Sequence, residues 1–503
     1  MEGKVYLIGA GPGDAGLITK KGYDKLHKSN VVVYDRLANP ELLDELDEDT
    51  KLIYVGKTAK NHTKTQDEIN EILYKEAKNG NIVARLKGGD PYVFGRGGEE
   101  GEYLFDRGIE FEEIPGITSA IGGLAYSGIP ITHRGIATSF HVITGHLKDE
   151  KDELNFEALA KLDGTLVFLM GVSNLEKIAT NLMNYGKDKN TKAALINWGT
   201  TYKQKVVEGT LENIYEKALE NDIKPPSLIV IGNVVSLREK LRFFDNKPLF
   251  GRNIVITRDR KHAKETIEKF KDYGANVLSF PTIKLEAVKD LSDLDEEIKN
   301  LDKYTHMAFT SVNGVEVFFK RLFELNFDVR ALGHIKFAVI GPKTKSALAK
   351  YGIIADIMPE KYVAESLYES LEKELSKDDN ILIPRARIAR EALILDLEKI
   401  TNVKEVAIYE TVKEESNKER IINELEDLDN YDLVFTSAST FNNFKEILDS
   451  DLDKVMKNAK IASIGPITTK AIEDEGFNVD YQACEYTIDG IIKAIIGDGN
   501  NEI

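Results

Sequence analysis

Residues 85–100, RLKGGDPYVFGRGGEE, combine five glycines with acidic and basic residues directly behind the apolar run NIVARL. Glycine permits positive φ and lets the main chain approach a ligand closely, at a conformational-entropy cost that a plain surface turn has no reason to carry. The stretch therefore predicts a ligand-binding loop at the end of a strand. A phosphate-binding P-loop is excluded, because its closing Lys-Ser/Thr pair does not follow these glycines.

A second glycine-rich loop lies near the start of the chain. Residues 11–16, GPGDAG, satisfy the G-x-G-x-x-G pattern and follow the strand-like segment KVYLIGA, and Asp35 ends the next strand. This arrangement is typical of a dinucleotide-binding loop, in which backbone amides wrap a pyrophosphate. Pro12 lacks one of those amide hydrogens and weakens the match. On local pattern alone, a dinucleotide enzyme stays open as an alternative.

The composition narrows the class of protein. Hydrophobic residues at 42% and charged residues at 30% indicate a globular chain of about two to four domains. The net charge of −17 argues against a dedicated nucleic-acid binder, although a local cluster of arginines can still bind an anionic small molecule. The only cysteine, Cys484, excludes an internal disulfide and a multi-cysteine metal site, and we expect it to be structural. Because neither a membrane span nor a signal peptide is visible, a cytoplasmic location is predicted.

Strand-like and helix-like segments alternate around these loops. The strands predicted first are KVYLIGA, VVVYDRL, LIYVGK and NIVARLKGGD, with helices between them, one of which covers residues 66–78. This order is the signature of a parallel α/β sheet with functional loops at the carboxyl ends of its strands. A separate second lobe is predicted from the later strands FHVITGH, GTLVFLM, TKAALINW and PPSLIVIGNVV.

A domain boundary is predicted at 245–251, where a short turn precedes the new strand NIVITR. Beyond it, Phe-Thr-Ser at 309–311 precedes Ile-Gly-Pro at 340–342, and both triplets recur at 435–437 and 464–466. The intervals are 31 residues (340 − 309) and 29 residues (464 − 435). Such spacing predicts two similar α/β lobes whose matching loops face each other across a cleft. Convergence on common strand-to-helix chemistry is the alternative.

Taken in order, the motifs resemble those of two known families. GAGPGDAGLIT, VVVYDRL, VGK, QDEIN, the long glycine motif, PGITSAIGGLAYSGIPITHRG and VITGH resemble uroporphyrinogen-III C-methyltransferase, of the tetrapyrrole methylase family, over residues 1–245. NIVITR, FTSVNGV, VIGPKTKSAL, LIPRARIARE, AIYETV, FTSAST and SIGPITTKA resemble uroporphyrinogen-III synthase over residues 251–503. The resemblance implies an α/β protein in which a two-lobed tetrapyrrole methylase fold precedes a bilobed α/β synthase fold.

By this resemblance the first half binds S-adenosylmethionine, and its product S-adenosylhomocysteine, between two lobes. The residues expected to contact the cofactor, carried over position by position, are Pro12, Gly88, Gly89, Asp90, Val93, Thr118, Ser119, Met170 and Gly199. Asp90 has the clearest physical role, since a carboxylate can accept hydrogen bonds from a ligand's hydroxyl or amino groups. Met170 by itself would more often be a core residue. No metal is expected, and no cofactor for the synthase half.

The resemblance also implies catalytic residues. Asp35 is expected to accept a proton and Lys57 to donate one during methyl transfer, with partial burial bringing both pKa values nearer to working pH. Without the resemblance they would be read as a turn acid and a solvated charge at a strand end. Tyr409, in AIYETV, is expected to assist departure of the hydroxyl of hydroxymethylbilane. A packing role is the alternative for that tyrosine.

Uroporphyrinogen carries carboxylates on every pyrrole ring, so cationic side chains are expected in both halves. Arginine fits best, because its planar guanidinium binds a carboxylate through two hydrogen bonds. The predicted substrate-binding residues are Arg85, Arg134, Thr310, Ser311, Thr344, Arg385, Ser437 and Thr468. Further candidates from the same motifs are Lys87, Arg96, His133, Arg387 and Arg390. For PRARIAR, a solvated helix start is the alternative.

The function implied is a bifunctional enzyme of tetrapyrrole biosynthesis. The second half would close hydroxymethylbilane to uroporphyrinogen III with ring inversion and loss of water. The first half would transfer two methyl groups from S-adenosylmethionine to give precorrin-2, on the route to sirohaem or cobalamin. A homodimer through the methyltransferase half is expected, with no nucleic-acid or membrane partner. The alternative is a methyltransferase for a later corrinoid intermediate fused to a tetrapyrrole-binding regulatory module.

Overall fold

The computed structural model describes residues 3–47, 49–56, 64–145, 154–388, 392–414 and 418–497. The chain divides into two compact units, Met1–Arg252 with Lys269–Asn276, and Asn253–Glu268 with Val277–Ile503. The described residues form four five-stranded sheets. We name each sheet with its helices a lobe, A to D, in the order in which the chain enters them. Within these ranges, no helix is long and apolar enough to cross a membrane.

Lobe A is a parallel sheet in the order β3-β2-β4-β1-β5. Its strands are β1 (Lys4–Gly9), β2 (Val31–Tyr34), β3 (Lys51–Tyr54), β4 (Ile82–Lys87) and β5 (Glu110–Ile114). Its helices are α1 (Lys20–Leu26), α2 (Glu41–Asp44), α3 (Gln66–Lys78) and α4 (Gly97–Phe105), and α5 (Ser119–Tyr126) leads from β5 to the next sheet, against which it packs. The parallel sheet is thus confirmed, and α3 spans the residues predicted for it.

Helices cover both faces of this sheet, which explains why its central strands are apolar throughout. Successive side chains of β1 point to opposite faces. Val5 and Leu7 pack into a cluster with α3 and α4, whereas Tyr6 and Ile8 pack into another with α1 and α2. The helices and their clusters leave the carboxyl edge of the sheet to its loops.

The carboxyl ends of β1, β4 and β5 meet through bare backbone. A Cβ on Gly116, just after β5, would lie 2.3 Å from the carbonyl oxygen of Gly89 and 2.7 Å from the Cα of Gly9. A Cβ on Gly9 would lie 2.5 Å from the Cα of Gly116. Side chains cannot be accommodated on Gly9 or Gly116 at this contact, and Gly89 contributes its carbonyl oxygen to it, so the three strand ends approach one another through bare backbone.

Lobe B is a mixed sheet in the order β6-β7-β10-β8-β9. Its strands are β6 (Phe140–Thr144), β7 (Thr165–Leu169), β8 (Lys192–Asn197), β9 (Lys205–Thr210) and β10 (Ser227–Ile231). Its helices are α6 (Phe156–Ala160), α7 (Leu175–Asn184), α8 (Ile214–Glu220) and α9 (Arg238–Leu241). Only β6 and β7 pair in parallel. The sequence analysis predicted four of these strands and missed β9, a partly exposed edge strand.

The second unit begins in lobe C, crosses to lobe D and returns. The first part of lobe C is β11 (Asn253–Ile256), α10 (Arg260–Asp272) and β12 (Asn276–Ser279). Lobe D follows as β13 (Ile283–Ala287), α11 (Ser292–Lys299), β14 (His306–Phe309), α12 (Val312–Glu324), β15 (Lys336–Val339), α13 (Pro342–Ala349), α14 (Ala364–Glu372), β16 (Asn380–Ala386), α15 (Ala392–Leu397) and β17 (Asn402–Lys413). Lobe C is completed by α16 (Lys418–Glu426), β18 (Tyr431–Phe435), α17 (Ala438–Leu448), α18 (Leu452–Met456), β19 (Ala459–Ser463), α19 (Pro466–Glu473), β20 (Tyr481–Gln482) and α20 (Ile488–Ile496).

The two crossings between lobes C and D run side by side. Thr282 donates from Oγ1 to the carbonyl of Thr257, which follows β11 (3.1 Å), and the amide of Glu414, which follows β17, donates to the carbonyl of Thr282 (3.3 Å). β13 starts opposite the end of β17, with Ile283 paired to Lys413. Because β17 is parallel to β16, both crossings lie at the carboxyl edge of the parallel strands.

The repeated triplets occupy the same elements in both lobes. Ser311 follows β14 and caps α12, as Ser437 follows β18 and caps α17. Gly341 and Gly465 follow β15 and β19 and precede helices that begin with proline. The orders of the sheets are β12-β11-β18-β19-β20 in lobe C and β13-β17-β16-β14-β15 in lobe D. Cys484 in lobe C is exposed, in contrast to the structural role expected for it.

The glycine contact in lobe A can be tested by substitution. Gly116→Ala places a methyl group against the backbone of Gly89, and we expect it to destabilise the first unit by about 1–3 kcal/mol. Gly98→Ala is the matched control, because no atom lies within 4 Å of its Cβ position in α4. That change should be neutral or stabilise by up to about 1 kcal/mol. Urea unfolding followed by the fluorescence of Trp198, the single tryptophan, measures both. Equal midpoints for the two variants would contradict the contact.

Candidate functional site

The loop after β1 and the GGDP loop after β4 are joined by reciprocal hydrogen bonds. The amide of Gly11 donates to the carbonyl of Gly89 (3.2 Å), and the amide of Gly89 donates to the carbonyl of Gly11 (2.6 Å). Their φ angles are +80° and +74°, in the region that favours glycine. The two glycine-rich loops therefore form a single element at the carboxyl edge of lobe A.

Four predicted cofactor residues lie around this element. The nearest atoms to the Cβ position of Gly89 are the nitrogen of Ser119 and the Cα of Thr118, both at 3.9 Å. Pro12 contacts α5, since a Cβ on Gly122 would lie 2.7 Å from its Cγ. The bare backbone of Gly89 thus leaves a small gap before the start of α5. A ligand could lie against main-chain atoms there.

Most other glycines of the GGDP run are needed for packing inside the protein. Cβ atoms on Gly95 and Gly97 would lie 2.6 and 2.7 Å from the carbonyl oxygen of Pro91. A Cβ on Gly88 would lie 2.6 Å from a side-chain carbon of the loop after β2. The abundance of glycine, which indicated a ligand loop in the sequence, is explained largely by this tight turn. Gly89 is the member of the run with room for a ligand beside the start of α5.

The carboxylate of Asp90 is bonded to three backbone amides. Oδ1 accepts from Tyr92 (2.8 Å) and from the half-buried Val93 (3.1 Å), and Oδ2 accepts from Gly116 (3.1 Å). These bonds hold the GGDP turn and tie it to the loop after β5. The structure therefore gives Asp90 a role in shaping the loop, whereas its contact with a ligand stays a prediction.

Lobe B contributes loops with costly backbone conformations. Met170, after β7, has a φ of +55°, and Trp198 and Thr200, on either side of Gly199 after β8, have φ of +46° and +71°. Such conformations cost about 1–3 kcal/mol each and cluster at functional sites. Met170 is 52% exposed, so it is not a core residue. These features support the prediction that Met170 and Gly199 contact the cofactor.

The loop after β8 also closes over residues 11–16. The amide of Asp14 donates to Oγ1 of Thr200 (3.1 Å), and a Cβ on Gly13 would lie 2.6 Å from Cγ2 of Thr201. Protein atoms thus occupy the space that a pyrophosphate would need beside the G-x-G-x-x-G loop. The following helix, α1, begins only at Lys20. This packing argues against the dinucleotide alternative.

A buried ion-pair network lies behind Asp35, which directly follows β2. Arg85 donates from Nη2 to Oδ2 of Asp35 (3.1 Å) and from Nε to Oε1 of Glu100 (3.2 Å). Lys87 donates from Nζ to the same Glu100 oxygen (2.8 Å). Arg85, Lys87 and Glu100 are all buried. Burial and the neighbouring Arg85 guanidinium lower the pKa of Lys87. Within the described residues, Oε2 of Glu100 has no hydrogen-bond partner.

The position of Arg85 inside this network argues against the substrate-binding role predicted for it. Its guanidinium also donates to the main-chain carbonyls of Leu86 (3.0 Å) and Val33 (3.4 Å), so its polar hydrogens are used inside the protein. Arg85 is therefore placed to orient Asp35 at the sheet edge. Lys57, the predicted proton donor, belongs to the segment 57–63, which is outside the described residues.

The other cations predicted in the first half are at the surface. His133 and Arg134 are exposed in the loop that precedes β6. Arg96 is exposed at the start of α4 and forms an ion pair with Glu99 (2.6 Å). These side chains are accessible to an anionic substrate, and their contacts with one stay predictions.

In the second unit, Tyr409 of β17 and Ser311 form a hydrogen-bonded pair. The phenol oxygen lies 2.8 Å from Oγ of Ser311, and the amide of Gly314 donates to this Oγ (3.0 Å). Tyr409 is only 8% exposed. The pair joins the first Phe-Thr-Ser triplet to the predicted catalytic tyrosine. The half-buried Thr310 directly precedes Ser311 in the chain. The structure thus brings together two predicted residues, Ser311 and Tyr409, from separate motifs.

The arginines of the PRARIAR segment differ in exposure. Arg385 is buried and donates from Nη1 to Glu405 (2.6 Å), whereas the exposed Arg387 donates to Glu410 (2.7 Å). The amide of Arg387 also donates to the carbonyl of Tyr409 (2.9 Å). Arg390 belongs to the segment 389–391, which is outside the described residues. Arg387 is exposed and is therefore better placed to bind a substrate carboxylate than Arg385, which was the predicted substrate-binding residue.

The remaining predicted hydroxyl donors are tied into the fold. Thr344 and Thr468, at equivalent places in α13 and α19, are each 4% exposed. Ser437 forms a reciprocal capping box with Thr440 at the start of α17. Burial of the two threonines favours a packing role over the direct substrate contact predicted for them.

The residues that hold the loop after β8 were missed in the sequence analysis. The amide of Thr200 donates to Oε1 of Gln204 (2.9 Å), and Gln204 donates to Asp245 (3.4 Å), which pairs with Arg238 (2.6 Å). Gln204 and Asp245 lie 41 residues apart. Because polar residues at such separations give no local pattern, only the fold reveals the network.

Comparison with known proteins agrees with this architecture. The family described as Tetrapyrrole (Corrin/Porphyrin) Methylases matches residues 4–215, and the family described as Uroporphyrinogen-III synthase HemD matches residues 264–493. A porphyrin biosynthesis protein HemD from Ruminiclostridium josui is 38% identical over 510 residues, which cover 99% of this chain and 99% of that protein. A uroporphyrinogen-III C-methyltransferase from Priestia megaterium is 51% identical over 235 residues, 46% of this chain and 99% of that protein.

A crystal structure of a uroporphyrin-III C-methyl transferase from Thermus thermophilus complexed with S-adenyl homocysteine is 38% identical. The aligned region covers 46% of this chain and 93% of the Thermus thermophilus chain, with a TM-score of 0.40.

The four α/β lobes and these matches define a protein of tetrapyrrole biosynthesis with two enzymatic halves. The chain belongs to the tetrapyrrole methylase family in its first half and to the uroporphyrinogen-III synthase family in its second. It is a bifunctional enzyme, a transferase followed by a lyase.

The internal role of Arg85 predicts a loss of stability on substitution. Arg85→Met leaves Glu100 buried without its arginine partner, and we expect it to destabilise the first unit by about 3 kcal/mol. Arg96→Met breaks only an exposed ion pair and should cost less than about 1 kcal/mol. Urea unfolding followed by Trp198 fluorescence compares the two. A stable Arg85→Met protein would show that this side chain is free to serve the substrate.

The strained backbone at Met170 predicts opposite effects on stability and binding. Met170→Gly removes the side chain from a φ of +55°, so the first unit should gain about 1 kcal/mol of stability. Loss of the exposed thioether side chain should weaken S-adenosylmethionine binding about tenfold, a pattern typical of functional strain. Calorimetric titration and urea unfolding measure the two effects on the same preparation. Unchanged affinity would remove Met170 from the cofactor site.

Proposed function

We propose that lobes A and B bind S-adenosylmethionine at the loops after β1, β4, β7 and β8 and methylate uroporphyrinogen III. The observation that carries this proposal is the joining of two loops through Gly11 and Gly89, in the same unit as the strained, exposed Met170. Main-chain polar groups and an apolar side chain suit a ligand that has both an adenosine part and a sulfonium-bearing methionine part. The family match over residues 4–215 supports the same assignment.

Within this site, Asp35 has the geometry of a proton acceptor. S-Adenosylmethionine supplies an activated methyl group on a sulfonium. A macrocycle that has gained a methyl cation must lose a proton to restore its charge. Arg85 fixes one carboxylate oxygen of Asp35 (3.1 Å), and the amide of Leu37 fixes the other (3.1 Å), so the group is oriented before substrate binds. Lys57 stays the predicted proton donor.

Lobes C and D are proposed to convert hydroxymethylbilane to uroporphyrinogen III. The reaction breaks the bond to the terminal hydroxyl, inverts the last pyrrole ring and closes the macrocycle, with water as the leaving group. The Tyr409 hydroxyl, oriented by Ser311 at 2.8 Å, is placed to donate a hydrogen bond to that departing oxygen. Because the bilane also closes spontaneously to the type I isomer, holding it in one conformation is the main task of the site.

The domain assignment follows from the same proposals. Residues 1–245 form the methyltransferase domain and residues 251–503 the synthase domain. The two compact units and the two family matches support this division. Transfer of two methyl groups to give precorrin-2, a homodimer through the first half and a cytoplasmic location stay predictions.

One experiment tests both halves. The full chain is incubated with hydroxymethylbilane and S-adenosylmethionine, and the isomer and the number of methyl groups in the product are identified. We expect a type III product that carries two methyl groups. Tyr409→Phe should slow formation of the type III isomer and leave methylation of added uroporphyrinogen III intact. Asp90→Asn, which keeps one acceptor oxygen for the loop amides, should weaken S-adenosylmethionine binding about tenfold and leave cyclisation intact.

The outcomes separate the alternatives. Binding of NAD without a response to S-adenosylmethionine would restore the dinucleotide enzyme. Methylation of a later corrinoid intermediate, with no transfer to uroporphyrinogen III, would favour the alternative methyltransferase. Loss of both activities in one folded variant would show that the halves are not independent.

A further inference from the structure

The duplication in the second unit extends well beyond the two triplets. Gly341 and Gly465, which precede α13 and α19, are separated by 124 residues (465 − 341). Asp356 and Asp480 follow at the same separation (480 − 356), and Oδ2 of each accepts a backbone amide of the preceding strand at 2.7 Å. The equal offset shows that residues 340–356 and 464–480 align without insertion, whereas the Phe-Thr-Ser triplets are 126 residues apart (435 − 309).

Residues that are identical in the two copies have visible structural reasons. Thr344 and Thr468 are buried in the two lobes. Gly352 and Gly476, also offset by 124 residues (476 − 352), have φ of +81° and +87°, which require glycine. Their identity therefore reflects packing and backbone geometry.

Tyr362 and Tyr486 are the exception. They share the offset (486 − 362), yet they are 57% and 67% exposed and belong to no hydrophobic cluster within the described residues. Burial does not explain why an aromatic residue stands at this place in both copies. A single exposed aromatic residue is ordinary, but an exposed tyrosine retained at the same place in both copies points to a shared role.

Each tyrosine packs against the glycine at the start of a repeat helix. A Cβ on Gly465 would lie 2.8 Å from Cδ1 of Tyr486, and a Cβ on Gly341 would lie 3.3 Å from Cβ of Tyr362. The glycines let the tyrosines rest on the backbone while much of each side chain stays exposed. A tyrosine supported in this way has little conformational freedom left to lose when it binds a ligand.

These tyrosines lie at the edge of each lobe that carries the candidate site. Gly341 follows β15, which pairs with β14, and the loop after β14 leads to Ser311, the partner of Tyr409. Gly465 follows β19, which pairs with β18, and the loop after β18 leads to the equivalent Ser437. Each lobe therefore presents one exposed tyrosine beside its Ser-capped helix.

We propose that Tyr362 and Tyr486 are substrate-binding residues of the synthase half, one in each lobe, that stack on pyrrole rings of the linear tetrapyrrole. This inference rests on the proposed function of lobes C and D. A flexible chain of pyrroles offers several flat rings, and an aromatic residue on each lobe can hold two of them at once. Fixing two rings restricts the conformations open to the bilane before closure.

The test uses the full chain with Tyr362→Ala, Tyr486→Ala and the double variant. Each single change should raise KM for hydroxymethylbilane about 3- to 10-fold, with a smaller change in kcat, because one stacking contact is lost. The double variant should show the product of the two effects. The fraction of type I isomer should rise, since loosely held bilane closes spontaneously. Tyr→Phe at either position keeps the ring and should retain most of the affinity.

Controls separate binding from stability and from the underlying function. Tyr185→Ala, at an exposed tyrosine of lobe B, should leave cyclisation unchanged. Thermal unfolding by circular dichroism reports any structural effect. If the Tyr362 and Tyr486 variants shift only the melting temperature, with KM and isomer ratio unchanged, the tyrosines merely cover the helix starts and the inference is wrong. If the unmodified chain makes no type III isomer, the proposed function and this inference both fall.

Discussion

Close backbone contact at the ends of β1, β4 and β5 is the constraint on which lobe A depends. Gly9 and Gly116 approach each other and the carbonyl oxygen of Gly89 so closely that neither can carry a Cβ. This contact sets the spacing of three loops, and the Gly11–Gly89 hydrogen bonds and the carboxylate of Asp90 then fix their shape. The loops proposed to bind the cofactor are thus formed by internal packing. Binding need not supply the free energy of ordering them, which favours affinity.

The same logic orients the candidate catalytic groups. Asp35 is held by Arg85, whose charge is balanced by Glu100 behind it, and Tyr409 is held by Ser311. In each case a buried or half-buried partner restricts a polar group at the carboxyl edge of a sheet. The buried charges in lobe A stabilise one another, because Arg85 and Lys87 both pair with Glu100, and removal of one member leaves the others less well compensated in a medium of low dielectric constant. Orientation and stability are therefore linked at this site.

Much of the fold could be predicted from sequence, because apolar alternation and helix caps are local signals. The limits of α3 and the shared elements of the repeat in lobes C and D are examples. The partners of polar side chains could not be predicted. Residue type shows that Arg85 can donate hydrogen bonds, but only the packing of β4 against α4 shows that Glu100 receives them. The burial of Thr344 and the amide bonds of Asp90 have the same origin, since both depend on contacts that the sequence pattern does not contain.

The two crossings between lobes C and D have a consequence for biosynthesis of the chain. Lobe D is a continuous segment and can fold as soon as it leaves the ribosome. Lobe C is split, because β11 pairs with β18, with Ile254 opposite Asp432. Until that partner is synthesised, β11 lacks the neighbour that will cover one of its edges, and an open strand edge is prone to pairing with other chains. Completion of lobe C must therefore wait for nearly the entire polypeptide, which makes a nascent chain arrested inside lobe D the species most exposed to aggregation.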